Sequence, residues 1–112
     1  MMKNKLRDAF NYEMQLAKTL FEEESYSLCY IHLERAHILG QRNYIPHVKS
    51  HYWMFRVGIK ESDVRETLGQ VTRMIMSIFS VINLVPLGNT GRARISPIKP
   101  MPIPADLVQY FE

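Results

Sequence analysis

Only one cysteine, Cys29, stands among the 112 residues, so no internal disulfide is available and the expected setting is a reducing cytoplasm. No long block of like charge occurs. The 14 Lys and Arg and the 11 Asp and Glu are scattered. A net charge of +3 spread in this way argues against nucleic-acid binding, which gathers basic residues on one face. No apolar run is long enough to span a bilayer: the most apolar stretch, residues 74–85, is too short and carries Ser77, Ser80 and Asn83. Residues 1–8 alternate basic and polar side chains and lack the apolar stretch of a secretion signal. What is present is 46% hydrophobic and 22% charged, an ordinary globular composition, and the length suits one domain with one modest core.

The first two-thirds of the chain reads as helix. Leu6, Phe10, Met14, Ala17 and Leu20 or Phe21 recur at three- and four-residue steps, which predicts an amphipathic helix over about residues 3–23. A second helix is expected over about 25–39, with Ser25 as N-cap and Gly40 as a left-handed terminator. Its apolar arc collects Leu28, Cys29, His32, Leu33, Ala36 and Leu39. Pro46 suits the first position of a third helix running to about Val57. After Gly58, Glu61-Ser62-Asp63 places negative charge at the start of a fourth helix. That helix is expected to reach about Asn83, with Val64, Leu68, Val71, Ile75, Ile78 and Ile82 as its apolar stripe. Five of the six prolines then fall between residues 86 and 104, a density that forbids helix and central strand alike. The expected fold is therefore all-α: a four-helix, roughly antiparallel bundle over residues 1–85, with a proline-rich extended C-terminal tail, 86–112, packed on the same domain. A short turn over 105–111 ends it.

All four histidines lie in one short stretch, at His32, His37, His47 and His51. Glu34 and His37 are three apart and His47 and His51 are four apart, the spacings that stack side chains on one helix face. On two consecutive antiparallel helices these residues converge near the connecting turn. Imidazole is a common neutral nitrogen donor for transition metals, and a carboxylate adds charge compensation. Such a set suits zinc, iron, nickel or copper, with zinc, iron or haem iron first; calcium and magnesium demand mostly oxygen ligands. The expected ligands are His37, His47 and His51, with Glu34 as a fourth ligand or as the acceptor that orients an imidazole. Glu13, beside the core-like Phe10, Met14 and Ala17, needs a polar partner and is a further candidate, ahead of Glu66 and Tyr30. The competing reading leaves the histidines structural: His37 capping a helix end, His47 on the surface, His32 a satisfied core residue. The segment Leu87-Gly88-Asn89-Thr90-Gly91-Arg92-Ala93-Arg94 reads as a tight turn, or as an anion-wrapping loop that lacks the P-loop lysine.

Two resemblances follow from these motifs. The stretch from Ala9 to Gln41, centred on Leu33-Glu34-Arg35-Ala36-His37-Ile38-Leu39-Gly40-Gln41, resembles one tetratricopeptide-type helical hairpin, although no second copy follows. That likeness implies helix-pair packing and a protein-binding groove. The same core motif combined with His47-x3-His51, Gly69-Gln70-x2-Arg73 and Pro86-x-Gly-Asn-Thr-Gly91 is similar to a family of small bacterial proteins of unknown function. It implies that Glu34, His37, His47, His51, Gln70, Arg73, Asn89 and Thr90 belong to one pattern at the bundle's end.

The functional expectation is a small cytoplasmic metal- or haem-binding protein; whether it is an enzyme is left open. The rival is a non-catalytic helical-hairpin interaction module that meets a protein partner through the fourth helix and the tail. A homodimer is the default assembly for so small a chain with this much apolar surface.

Overall fold

Phe10, Met14, Ala17 and Phe21 wind onto one face at helical spacing, and that face is buried along α1, Asn4–Glu22. The computed structural model describes residues 2–77, 87–96 and 99–112. Among these, three more α-helices follow: α2, Tyr26–Gly40; α3, Tyr44–Lys60; and α4, Val64–Met76. A 3-10 turn, Val108–Phe111, lies near the C-terminus, and no strand is present among the described residues. The expected all-α fold is what forms. Each helix packs on the next, and each connection spans three residues (23–25, 41–43, 61–63), which turns neighbouring helices antiparallel. The expected continuation of α4 to Asn83 falls on residues 78–86, outside the described residues, as do Ile78 and Ile82.

The core is built from α1, α2 and α3. Leu33, Ala36, Cys29, Met54 and Val57 are wholly buried, joined by Leu39, Ile38, Tyr30 and the tail residue Leu107. Each large apolar side chain so buried contributes about 1.5–3 kcal/mol by leaving water. Ile103, Tyr110 and Phe111 pack against the same cluster, and an Arg35–Asp106 ion pair at 2.5 Å ties the tail to α2.

Three local expectations are corrected. Gly40 does not terminate α2 in the left-handed region; it is the last helical residue. Its lack of a Cβ serves packing instead, because a Cβ there would sit 2.8 Å from Pro46 Cβ and 3.0 Å from Phe10 Cε2. Gly58 likewise lies inside α3, where a Cβ would come within 2.7 Å of Thr67 Oγ1 on α4. The left-handed terminators are Glu24 (φ 61°) and Ser62 (φ 56°). Each closes a paired 6→1 and 5→2 turn: Ser25 N–H to Leu20 O with Glu24 N–H to Phe21 O, and Asp63 N–H to Gly58 O with Ser62 N–H to Ile59 O. Leu28, expected on the buried arc of α2, is half exposed, and that arc instead turns Tyr30 and His37 inward.

The sequence left open which way α4 faces. Its stripe of Val64, Leu68, Val71 and Ile75 faces out, with Ile75 74% exposed and Val64 69%. The buried face carries Glu66 and Gln70, both 0% exposed. Asp63 starts the helix as expected, its side chain accepting from Glu66 N–H at 3.0 Å. The orientation follows from what α4 must supply. Turned this way, Gln70 meets His51 on α3 and Gly91 O, and Glu66 meets Arg92 and Ala93 N–H.

Candidate metal centre

His37 sits in the last turn of α2, and His47 and His51 occupy successive turns at the start of α3. The 41–43 connection folds α3 back beside α2, so the three imidazoles meet. They are 1%, 3% and 2% exposed. His47 Nε2 lies 3.0 Å from His37 Nε2 and 3.0 Å from His51 Nε2, and one nitrogen from each ring lies within 4.8 Å of the others. Ring centroids are 4.7 to 4.8 Å apart.

The outer nitrogens fix which form two of the rings take. His37 Nδ1 is 2.7 Å from the backbone oxygen of Asn89, which can only accept, so His37 carries its hydrogen on Nδ1. His51 Nδ1 is 2.6 Å from Gln70 Oε1. The Gln70 amide has one consistent orientation, because its Nε2 donates to Glu66 Oε2 at 2.6 Å and to Gly91 O at 3.0 Å. His51 therefore also carries its hydrogen on Nδ1. Both Nε2 atoms are left as bare lone pairs aimed at His47 Nε2. A single hydrogen there can satisfy one of the two 3.0 Å contacts, never both. His47 Nδ1 is buried without a hydrogen-bond partner.

Protonating a second ring does not relieve the conflict cheaply. Burial pushes the pKa of His37 well down, that of His47 down to about 4 and that of His51 down to about 3. The trio is a set of neutral donors whose lone pairs converge. Around an ion with metal–nitrogen bonds of about 2.0–2.1 Å, such nitrogens stand about 3.3–3.6 Å apart, a few tenths of an ångström wider than the two pairs that contain His47 are here.

The loop after α4 closes over this trio. Gly91, at φ +83°, passes so near His37 that a Cβ would fall 2.5 Å from its Cδ2 and 2.7 Å from its Nε2. Asn89 shapes the turn: its Oδ1 accepts from Gly91 N–H at 3.0 Å, and its Nδ2 donates to Ser96 O and Lys99 O at 2.8 and 3.0 Å. Behind Gln70 lies the buried carboxylate of Glu66, with Arg92 Nε on Oε1 at 2.7 Å and Ala93 N–H on Oε2 at 3.1 Å. Arg92 also reaches Glu34 at 3.2 Å and stacks 3.7 Å over the Tyr30 ring. A chain of hydrogen bonds thus runs Arg92–Glu66–Gln70–His51 and holds the imidazole in place.

The structure brings His37, His47, His51, Gln70 and Asn89 together. It sends Glu34 to Arg92 instead, and the orienting acceptors for His37 and His51 are Asn89 O and Gln70 Oε1 rather than the Glu34 carboxylate. Glu13 pairs with His32 at 2.7 Å and Arg35 at 3.1 Å on the α1–α2 side. Glu66, ranked behind Glu13 in the sequence, is the buried carboxylate nearest in the hydrogen-bond chain. Arg73 donates to Ile95 O at 2.6 Å, its Nε is buried without a partner, and its charge acts on both His37 and His51. Thr90 is half-buried between Asn89 and Gly91. Gly91 and Arg92 were legible only as parts of a glycine-rich turn; the Gly-Arg step after Asn89-Thr90 was the available signal.

No curated protein and no solved structure matches this chain. A family model does, across residues 4–111, and its description is "Protein of unknown function (DUF3703)". The helical bundle with its buried histidine trio belongs to that family.

Proposed function

We propose that this chain is a metal-binding protein that holds one transition-metal ion on His37, His47 and His51. The observation that carries this reading is the fixed hydrogen placement on His37 and His51, which leaves more converging lone pairs than hydrogens to fill them. A cation at the centre satisfies all three nitrogens at once. Histidines serving only as structural donors would leave their second nitrogens apart, whereas here the Nε2 atoms of His37 and His51 both point at His47 Nε2. The 3.0 Å spacing favours a bare ion over haem, since a porphyrin occupies the space between axial ligands. Burial of every ligand favours a closed site that keeps its ion over a catalytic site with an open position.

Elemental analysis by mass spectrometry of untagged protein purified without chelator tests the reading. About one equivalent of metal per chain, lost in a His37→Ala/His51→Ala variant, is expected. Protein that carries no metal and takes up neither added zinc, copper nor iron would sink the proposal.

A second reading rests on α4. Val64, Leu68, Val71 and Ile75 form an exposed row at four-, three- and four-residue steps, the seam of a self-complementary helix pair. It supports contact with a second copy of the chain. Sedimentation equilibrium of the wild type against Leu68→Glu tests it; a monomer in both would dismiss it.

A further inference from the structure

We propose that the ion suited to this trio is monovalent copper, three-coordinate and without a counter-anion; the inference rests on the metal-binding reading above. The first ground is the ligand set. Three neutral imidazoles converge, and among the described residues no carboxylate or thiolate joins them. Cys29, the single thiol, donates instead to Ala17 O at 3.2 Å.

The second ground is charge. Glu66 and Glu34 are the acidic groups of the surrounding network, and Arg92 pairs with both. Both oxygens of Glu66 are already occupied, by Arg92 on one side and by Gln70 and Ala93 on the other. Arg73 adds a second positive charge that acts on His37 and His51. Two negative and two positive groups cancel, so among the described residues the surroundings offer an incoming cation no net countercharge. Asp63, the N-cap of α4, is matched by Arg94 at 3.5 Å.

The cost of charging a buried ion rises as the square of its charge. A divalent ion therefore costs roughly four times as much to move from water to a dry interior as a monovalent ion of similar size. Holding a divalent ion here takes a fourth ligand, a water or an anion, and only an anion would offset its charge. The Gly91 backbone covers the His37 side of the trio, where a Cβ would already overlap the ring. Zinc almost always takes four ligands, whereas a monovalent d10 copper ion is content with three nitrogens, and imidazole suits copper.

The test uses the full chain. Cuprous ion is titrated anaerobically against bicinchoninate, and zinc against a chromophoric chelator. Copper-loaded protein is then exposed to air and read by electron paramagnetic resonance and X-ray absorption. Expected are one equivalent of copper on three nitrogens, no cupric signal in air, and copper displacing equimolar zinc. An Arg73→Met variant tests the charge argument. Removing one positive charge acts on an ion in proportion to its charge, so a gain of about threefold for copper implies about tenfold for zinc. Arg73→Lys keeps both affinities near wild type.

Zinc bound in preference to copper with a fourth oxygen or chloride ligand would overturn the monovalent assignment while leaving the metal site standing. So would bound copper that oxidises in air, or equal effects of Arg73→Met on both ions. Neither ion binding, or both binding undiminished to a folded His47→Gln variant, would overturn the metal reading itself.

Discussion

Replacing Gly91 with alanine perturbs the trio from a direction no ligand mutation can. Two costs combine. At φ +83° an L-residue is strained by about 1–2 kcal/mol. The new Cβ also falls 2.5 Å from His37 Cδ2, 2.7 Å from Nε2 and 2.8 Å from Cγ. Contact with ring atoms is relieved only at about 3.5 Å or more, so ring and loop must part by close to 1 Å. His37 cannot retreat freely, because its Nδ1 is bonded to Asn89 O two residues before Gly91. Its Nε2 therefore leaves the point shared with His47 and His51. Displacing an orienting contact of this kind weakens metal affinity about 10- to 100-fold. Ligand linkage converts that loss to about 1.4–2.8 kcal/mol less stabilisation at saturating metal. For a domain of this size it amounts to roughly 5–15 °C less separation between the melting points of loaded and metal-free protein. Differential scanning fluorimetry with and without metal, paired with a competition titration, reads both quantities. A variant that melts lower but keeps the full wild-type metal-induced shift would refute the placement of Gly91 against the site.

Other expectations follow from the same geometry. Glu66→Gln leaves Arg92 without its buried partner and loosens Gln70, so metal affinity drops about 10-fold while Glu34→Gln changes it by less than about threefold; competition titration of both variants decides. Metal-free protein should lose stability as pH falls from 7 to 5. The folded-state pKa values of His47 and His51 lie below the usual 6.5, so the unfolded chain binds protons first and each histidine contributes a slope of up to about 1.4 kcal/mol per pH unit; urea melts that stay flat over this range would contradict it. Gly40→Ala forces a Cβ against Pro46 and Phe10 and should cost about 1–3 kcal/mol with metal affinity unchanged, as chemical denaturation and titration would show. Ser62→Gly relieves a left-handed non-glycine residue and should stabilise by about 0.5–1 kcal/mol in the same melts.

The histidines were legible because one spacing and one short turn bring them together. His47 and His51 share a helix face, and His37 precedes a connection too short to carry α3 away from α2. Glu34 shared the same spacing argument, yet Arg92, 58 positions on, captures its carboxylate. Periodicity within one helix carries no information on so remote a partner. The stripe of α4 was equally plain in the sequence, but the side it faces was not. Hydrophobic spacing identifies an apolar face, but the demand of His51 for an acceptor and of Arg92 for a carboxylate turned Glu66 and Gln70 inward. Gly40 and Gly58 illustrate a second blind spot. A glycine near a helix end serves a turn or a close approach, and only the neighbouring helix tells which.

The central claim is that His37, His47 and His51 share one ion. Crystals of the metal-loaded protein measured at the absorption edge of the bound metal test it most directly. One anomalous peak per chain is expected, at bonding distance of about 2.0–2.1 Å from the three Nε2 atoms, with His37 and His51 still donating to Asn89 O and Gln70 Oε1. A peak held by other residues, or no peak between imidazoles that remain in contact, would contradict it.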